Sequence, residues 1–132
     1  MDRYDRVMSD VRQKTDDEVI HWRVVNADRY SDVLLNTYRV IRSFAADYPV
    51  GKRKYDLLFI ERKIEVHDDI GDSTSEAYGF ELFVLDEDGQ IVLNLYEGVV
   101  DRDDMLRLSG LIDEHNDRAK SFFEAFDQPG AA

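Results

Sequence analysis

Apolar residues recur along this chain with two different periods, and each change of period marks an element. Tyr4, Val7, Met8 and Val11 fall three or four positions apart. That spacing gives one helical stripe and predicts a helix over 1–14. Over 19–25 the strand formers Val19, Ile20, Trp22, Val24 and Val25 dominate, and Ile20, Trp22 and Val24 alternate with His21 and Arg23, which favours a strand. Thr15-Asp16-Asp17-Glu18 could instead open a second helix there as a capping box. Residues 30–48 fit both periods. Tyr30, Val33, Leu34, Thr37, Tyr38, Ile41, Phe44 and Tyr48 share a helical face, whereas Tyr38, Val40, Arg42, Phe44, Ala46 and Tyr48 alternate as in a strand. Pro49-Val50-Gly51-Lys52 then reads as a turn. Beyond it 55–67, 77–85 and 91–96 read as strands, and Asp86-Glu87-Asp88-Gly89 as a hairpin turn with Gly89 at positive φ. Residues 101–126 read as one amphipathic helix, with Asp101 at its cap and Asp103 and Asp104 suited to its dipole.

The succession of helix, Thr-x₄-Ile-x-Trp strand (Thr15, Ile20, Trp22), meander and closing helix resembles that of many small uncharacterised bacterial proteins. The resemblance covers most of the chain, implies a strand rather than a helix over 36–48, and brings no activity with it. The expected fold class is α+β: an N-terminal helix, an antiparallel sheet of about five strands in a meander, and a long C-terminal amphipathic helix. One domain is expected over 1–127, with a disordered tail at 128–132.

An antiparallel sheet with one wet face alternates apolar with polar residues. Here the middle strands carry apolar residues on both sides. Leu58, Ile60, Ile64 and Val66 mark one face of the long strand, and Leu57 and Phe59 the other; Phe83, Leu85, Val92 and Tyr96 continue that second set in the strands that follow. Leu57, Phe59, Phe83, Leu85, Val92 and Tyr96 therefore form the candidate interface. Either the two terminal helices pack on opposite faces, or both lie on one face and a second chain covers the other.

Charge and composition narrow the partners. The chain of 132 residues holds 29 acidic against 17 basic side chains, a net charge of −12, and no cysteine. Such a charge repels phosphate backbones and anionic lipid, so no direct nucleic-acid or membrane binding is expected. Disulfides, thiolate metal sites and cysteine nucleophiles are excluded. The first ten residues contain no apolar leader core, the longest purely apolar run is Leu57-Leu58-Phe59-Ile60, and a cytoplasmic location is expected.

The remaining chemistry is sparse. Asp68-Asp69-x-x-Asp72, Asp86-Glu87-Asp88 and Asp101-x-Asp103-Asp104 lack calcium-loop spacing, and His21, His67 and His115 lack a metal-binding arrangement, so neither metal nor cofactor is expected. No nucleophile elbow, phosphate loop or kinase signature occurs, and no catalytic residue is assigned. In a meander the 49–54 and 86–89 turns share one end, setting Lys52, Arg53 and Lys54 beside Asp86, Glu87 and Asp88. Asp68, Asp69, Asp72, Asp101, Asp103 and Asp104 then make the other end acidic without a counter-charge, the expected place for a basic partner. The pattern points to a non-catalytic protein-interaction domain, a homodimer or an adaptor or inhibitor of a larger partner, using an apolar sheet face. The alternatives are a small-ligand domain with a pocket between sheet and C-terminal helix near Trp22, Tyr96 and His115, and an acidic mimic that blocks a nucleic-acid-binding protein.

Overall fold

The computed structural model describes residues 2–67 and 74–130. Its elements are α1 (Arg3–Asp16), β1 (Arg23–Val24), β2 (Val40–Val50), β3 (Arg53–His67), β4 (Thr74–Leu85), β5 (Ile91–Tyr96), α2 (Arg102–His115) and α3 (Asp117–Phe126). Two short 3₁₀ turns, Ala27–Tyr30 and Thr37–Arg39, lie between β1 and β2. The strands form one antiparallel sheet in the order β1-β2-β3-β4-β5. This is the expected α+β meander between N-terminal and C-terminal helices.

The Asp2 carboxylate caps α1 by accepting from the Asp5 N–H at 2.8 Å. Thr15 belongs to the end of this helix and opens no second one: its hydroxyl donates to the Val11 carbonyl at 2.7 Å. Its oxygen also accepts from Trp22 Nε1 at 3.0 Å. Glu18 takes a left-handed φ of 58° and turns the chain back, and Ile20 and Trp22 drop into the core at 1% exposure each. The strand expected over 19–25 therefore shrinks to Arg23–Val24, paired with Ala45 and Phe44. The spacing of Thr15, Ile20 and Trp22 thus has a physical reason, since it clamps the end of α1 to the sheet.

Two other boundaries shift. The strand expected over 36–48 runs from Val40 to Val50 after a 3₁₀ turn. The single helix expected over 101–126 breaks at Asn116, whose backbone is extended at φ −75°, ψ 162°. Its carboxamide serves both halves, donating to the Ile112 carbonyl at 2.8 Å and accepting from the Ala119 N–H at 3.0 Å. At the start of α2 the Asp101 carboxylate makes no capping bond; its backbone carbonyl accepts from Asp104 and Met105. Gly51 at φ 60° and Gly89 at φ 80° supply left-handed residues of the β2–β3 and β4–β5 turns.

Both α1 and α2 pack on one face of the sheet. Met8 and Val11 of α1 and Met105, Leu108 and Ile112 of α2 bury Phe44, Leu57, Phe59, Leu82 and Leu95. The other face, expected to need either a helix or a second chain, is covered by the chain's own 25–40 connection. Ala27 and Leu34 from this strap pack with Leu58, Ile60, Phe83 and Leu85. A connection this long, with little regular structure, is stable because it buries its own apolar side chains there.

Asp47 and Asp56 stand opposite each other in the β2–β3 ladder. Burial first, and then the Asp47 charge, pushes the Asp56 carboxyl above the ordinary aspartate range. A raised folded-state pKa makes stability fall as pH rises from the unfolded value through the folded one. Asp56→Asn is therefore expected to raise the melting temperature by at most a few degrees at neutral pH. The gain should fade below about pH 4, the ordinary aspartate range, in thermal scans of both proteins across acidic and neutral buffers.

Candidate interaction surfaces

The six residues expected to form one interface do not share a face. Directly opposed residues of an antiparallel pair point the same way. The register pairs Leu57 with Val84 and Leu58 with Phe83, one step from the arrangement expected. Leu57 and Phe59 thus lie under the helices, fully buried. Phe83 and Leu85 lie on the opposite face beneath the strap. Val92 and Tyr96 remain open, at 55% and 46% exposure. Beside Tyr96 the uncovered part of this second face holds a shallow cavity of about 420 Å³ lined by Arg62, Ile64, Gly79, Glu81 and Asn94. Arg62 Nε lies 3.0 Å from Glu81 Oε1, and Asn94 Nδ2 donates to Glu81 Oε2 at 3.2 Å, while the buried Asn94 Oδ1 has no hydrogen-bond partner among the described residues.

Trp22, Tyr96 and His115 are not brought together. Trp22 is a core residue, edge-on to Phe59 at 6.4 Å. Tyr96 follows Leu95, which takes the helix-facing position, so Tyr96 points to the opposite face beside Glu81. The space expected for a pocket is filled by Phe59, Leu82, Leu95, Leu108 and Ile112. His115 ends α2, with Nδ1 3.4 Å from Glu18 Oε1; the same oxygen lies 3.2 Å from Lys120 Nζ. Lys120 first, then His115, holds the Glu18 carboxyl below its ordinary range. Because the folded pKa is lowered, this contact is complete above the ordinary glutamate range and is lost only as pH falls through the folded value.

The acidic end is partly compensated. Asp68, Asp69 and Asp72 lie outside the described residues. Asp104 is 3.5 Å from Arg12, and Arg102 pairs with Glu97 and donates to the Tyr78 carbonyl at 3.0 Å. Of the expected acidic set, Asp104 has a counter-charge in Arg12 of α1, whereas Arg102 of α2 is engaged by Glu97. At the other end, Arg53 and Lys54 do line one cleft with Asp86, Glu87 and Asp88. Among the described residues, no group of three or more His, Asp or Glu is placed to hold a metal ion. Arg42, the most heavily bonded cation, is consumed by the fold: it binds Glu61, Ser109 and Asp113 and ties β2 to α2.

The break at Asn116 creates a surface that the continuous-helix pattern concealed. The stripe Met105, Leu108, Ile112, His115, Ala119, Phe122, Phe126 enters the core only as far as Ile112. Beyond Asn116 the helix is held at its start, where the Asp117 N–H donates to the Trp22 carbonyl at 2.9 Å and its carboxylate accepts from the Val24 N–H at 3.1 Å. None of its residues is buried. Phe122, Phe123 and Phe126 are 60%, 49% and 66% exposed and cluster with one another, Phe122 being 5.4 Å from Phe123 and 5.9 Å from Phe126. Phe123 had no place in the sequence stripe. The available signal was three phenylalanines within one turn and a half, with no other large apolar residue in 113–127. No known family model matches the chain, and no curated protein or solved structure matches it either.

Proposed function

We propose that this chain is a non-catalytic protein-interaction domain that self-associates through α3. The aromatic cluster on a helix with no buried residue supports this reading, because contiguous exposed aromatic surface in a folded domain marks a contact site. Charge selects a second copy as the occupant. In the first half of α3, Lys120 is held by Glu18 and the Asp117 carboxylate by the Val24 N–H, which leaves Arg118 as the cation with no ion pair among the described residues; the helix end carries Glu124 and Asp127. An antiparallel pair centred on Phe122 and Phe123 sets Arg118 of each helix beside the acidic end, Glu124 and Asp127, of the other. The phenylalanines offer on the order of 300 Å² per copy, well below the roughly 800 Å² per partner of a standard interface. The dimer is accordingly weak and reversible.

Sedimentation velocity across the micromolar range tests it. The wild type is expected to shift from monomer to dimer with concentration, whereas Phe122→Glu with Phe126→Glu stays monomeric with an unchanged melting temperature, since both side chains are exposed. Arg118→Asp should weaken the dimer and Arg118→Asp with Asp127→Arg restore it. A wild type that stays monomeric throughout, or a dimer indifferent to both phenylalanines, would overturn the reading.

A further inference from the structure

The two edges of the sheet are built differently. One edge is guarded: β1 is only two residues long, Pro49 sits near the end of β2, and Trp22 bridges to Asn116 at the start of α3. Short strands, proline and coverage are the usual means by which proteins deter pairing at an edge. Where β4 runs past β5, Arg102 occupies the Tyr78 carbonyl. The opposite edge is β5, Ile91-Val92-Leu93-Asn94-Leu95-Tyr96, which has no proline and, among the described residues, no further strand on it; its one irregularity is a bulge at Val92, between the Leu85–Ile91 and Val84–Leu93 pairs. The strand contains no charged residue or glycine, although 35% of the chain is charged. Among the described residues it pairs only with β4, and no side chain donates to its backbone among the hydrogen bonds formed by those residues. Ile91, Val92 and Tyr96 stand 44%, 55% and 46% exposed along it. The Tyr96 carbonyl is taken by the Val99 and Val100 N–H groups, so the edge available for pairing ends before it; an edge strand with apolar side chains is a template for one more strand.

Charge decides which strand. The turn that leads into β5 presents Glu87 and Asp88, both exposed, with Arg53 and Lys54 along the cleft on its β3 side, and the chain as a whole carries −12. Antiparallel pairing of two β5 edges would bring that acidic turn of one copy toward the Glu97–Arg102 ion pair of the other, whose charges cancel, so a second copy gains nothing there, whereas a basic segment is attracted to the turn. We infer that β5 is a docking edge for an extended segment of another protein, apolar and β-branched over about six residues and flanked by lysine or arginine where it meets Glu87 and Asp88. The segment joins the meander as a sixth strand. Its backbone supplies the affinity, and Val92 and Tyr96 read its alternate side chains. This surface is separate from α3, so a self-associating domain with such an edge can act as an adaptor.

Titration of the ¹⁵N-labelled chain with a synthetic peptide of alternating valine and threonine ending in two arginines tests the inference. The matched probe replaces the arginines with glutamates. The expected result is amide shifts concentrated on 91–96, binding at least ten-fold tighter for the basic probe at low salt, and loss of that preference at high salt. Glu87→Lys with Asp88→Lys should reverse the preference; Asp86 is left in place because its carboxylate holds the turn by accepting from Asp88 and Gln90. The Phe122→Glu, Phe126→Glu protein should bind the basic probe as the wild type does, which separates this edge from the α3 dimer. Shifts spread away from β5, equal binding of both probes, no binding, or a β5–β5 dimer in the free protein would each overturn it.

Discussion

Truncating Trp22 to alanine is expected to destabilise the fold by about 3–5 kcal/mol, the range for removing a large aromatic side chain from a core. Trp22 is 1% exposed, lies edge-on to Phe59 and is held from three directions. Its ring N–H donates to Thr15, its carbonyl accepts from Asp117, and its backbone bridges to Asn116. It therefore links the end of α1, the sheet and the junction of α2 with α3. Thr15→Val keeps the shape of the threonine side chain but leaves the indole N–H buried without an acceptor, and should cost about 1–3 kcal/mol. Urea unfolding of Thr15→Val, Trp22→Phe and the double variant isolates the bond. With phenylalanine at 22 there is no N–H to strand, so most of the Thr15→Val penalty should vanish. Additive penalties would show that Thr15 acts through its bond to Val11 alone.

Why some of the fold was legible and some was not follows from where side chains end up. The β3, β4 and β5 strands and the meander could be read because each strand is a run rich in strand formers, and the β2–β3 and β4–β5 turns each have a glycine at a left-handed position. The face assignment failed by one register step. Leu57 pairs with Val84 and Leu58 with Phe83, so Phe83 and Leu85 fall on the side opposite Leu57 and Phe59, and apolar residues on both faces gave no signal against grouping them together. The strap was ambiguous because Tyr30, Val33 and Leu34 are spaced for packing on a sheet without a regular backbone of their own. The break at Asn116 was hidden because the apolar stripe continues across it in register. Asparagine favours helix caps through its side chain, and that propensity was the one available clue. The candidate surface shifted with these errors, from a sheet face that the chain covers itself to a helix and an edge that it leaves open.

Phe83→Glu is expected to be the most damaging single change on the strap side of the sheet. Phe83 is 3% exposed, packed with Leu34 and Ala27 above and Leu58 beside it. The cross-strand neighbour Asn94 donates to Glu81, and the nearby Arg62 is already engaged by Glu81 and the Leu35 carbonyl. An uncompensated buried charge costs about 3–5 kcal/mol, a large fraction of the roughly 5–15 kcal/mol that stabilises a domain. Unfolding should therefore occur at much lower urea. The loss should shrink on acidification, because protonating the introduced carboxyl removes the charge; its folded-state pKa is raised, so stability is recovered as pH falls toward the unfolded value. The decisive variable is protein concentration. If the strap covers this face, the midpoint of Phe83→Glu and its difference from wild type are the same at low and high concentration. Leu34→Ala should then weaken the same cluster by about 2–5 kcal/mol. If a second chain covered the face instead, wild-type stability would rise with concentration by mass action while that of Phe83→Glu would not, and Leu34→Ala would leave the monomer unchanged.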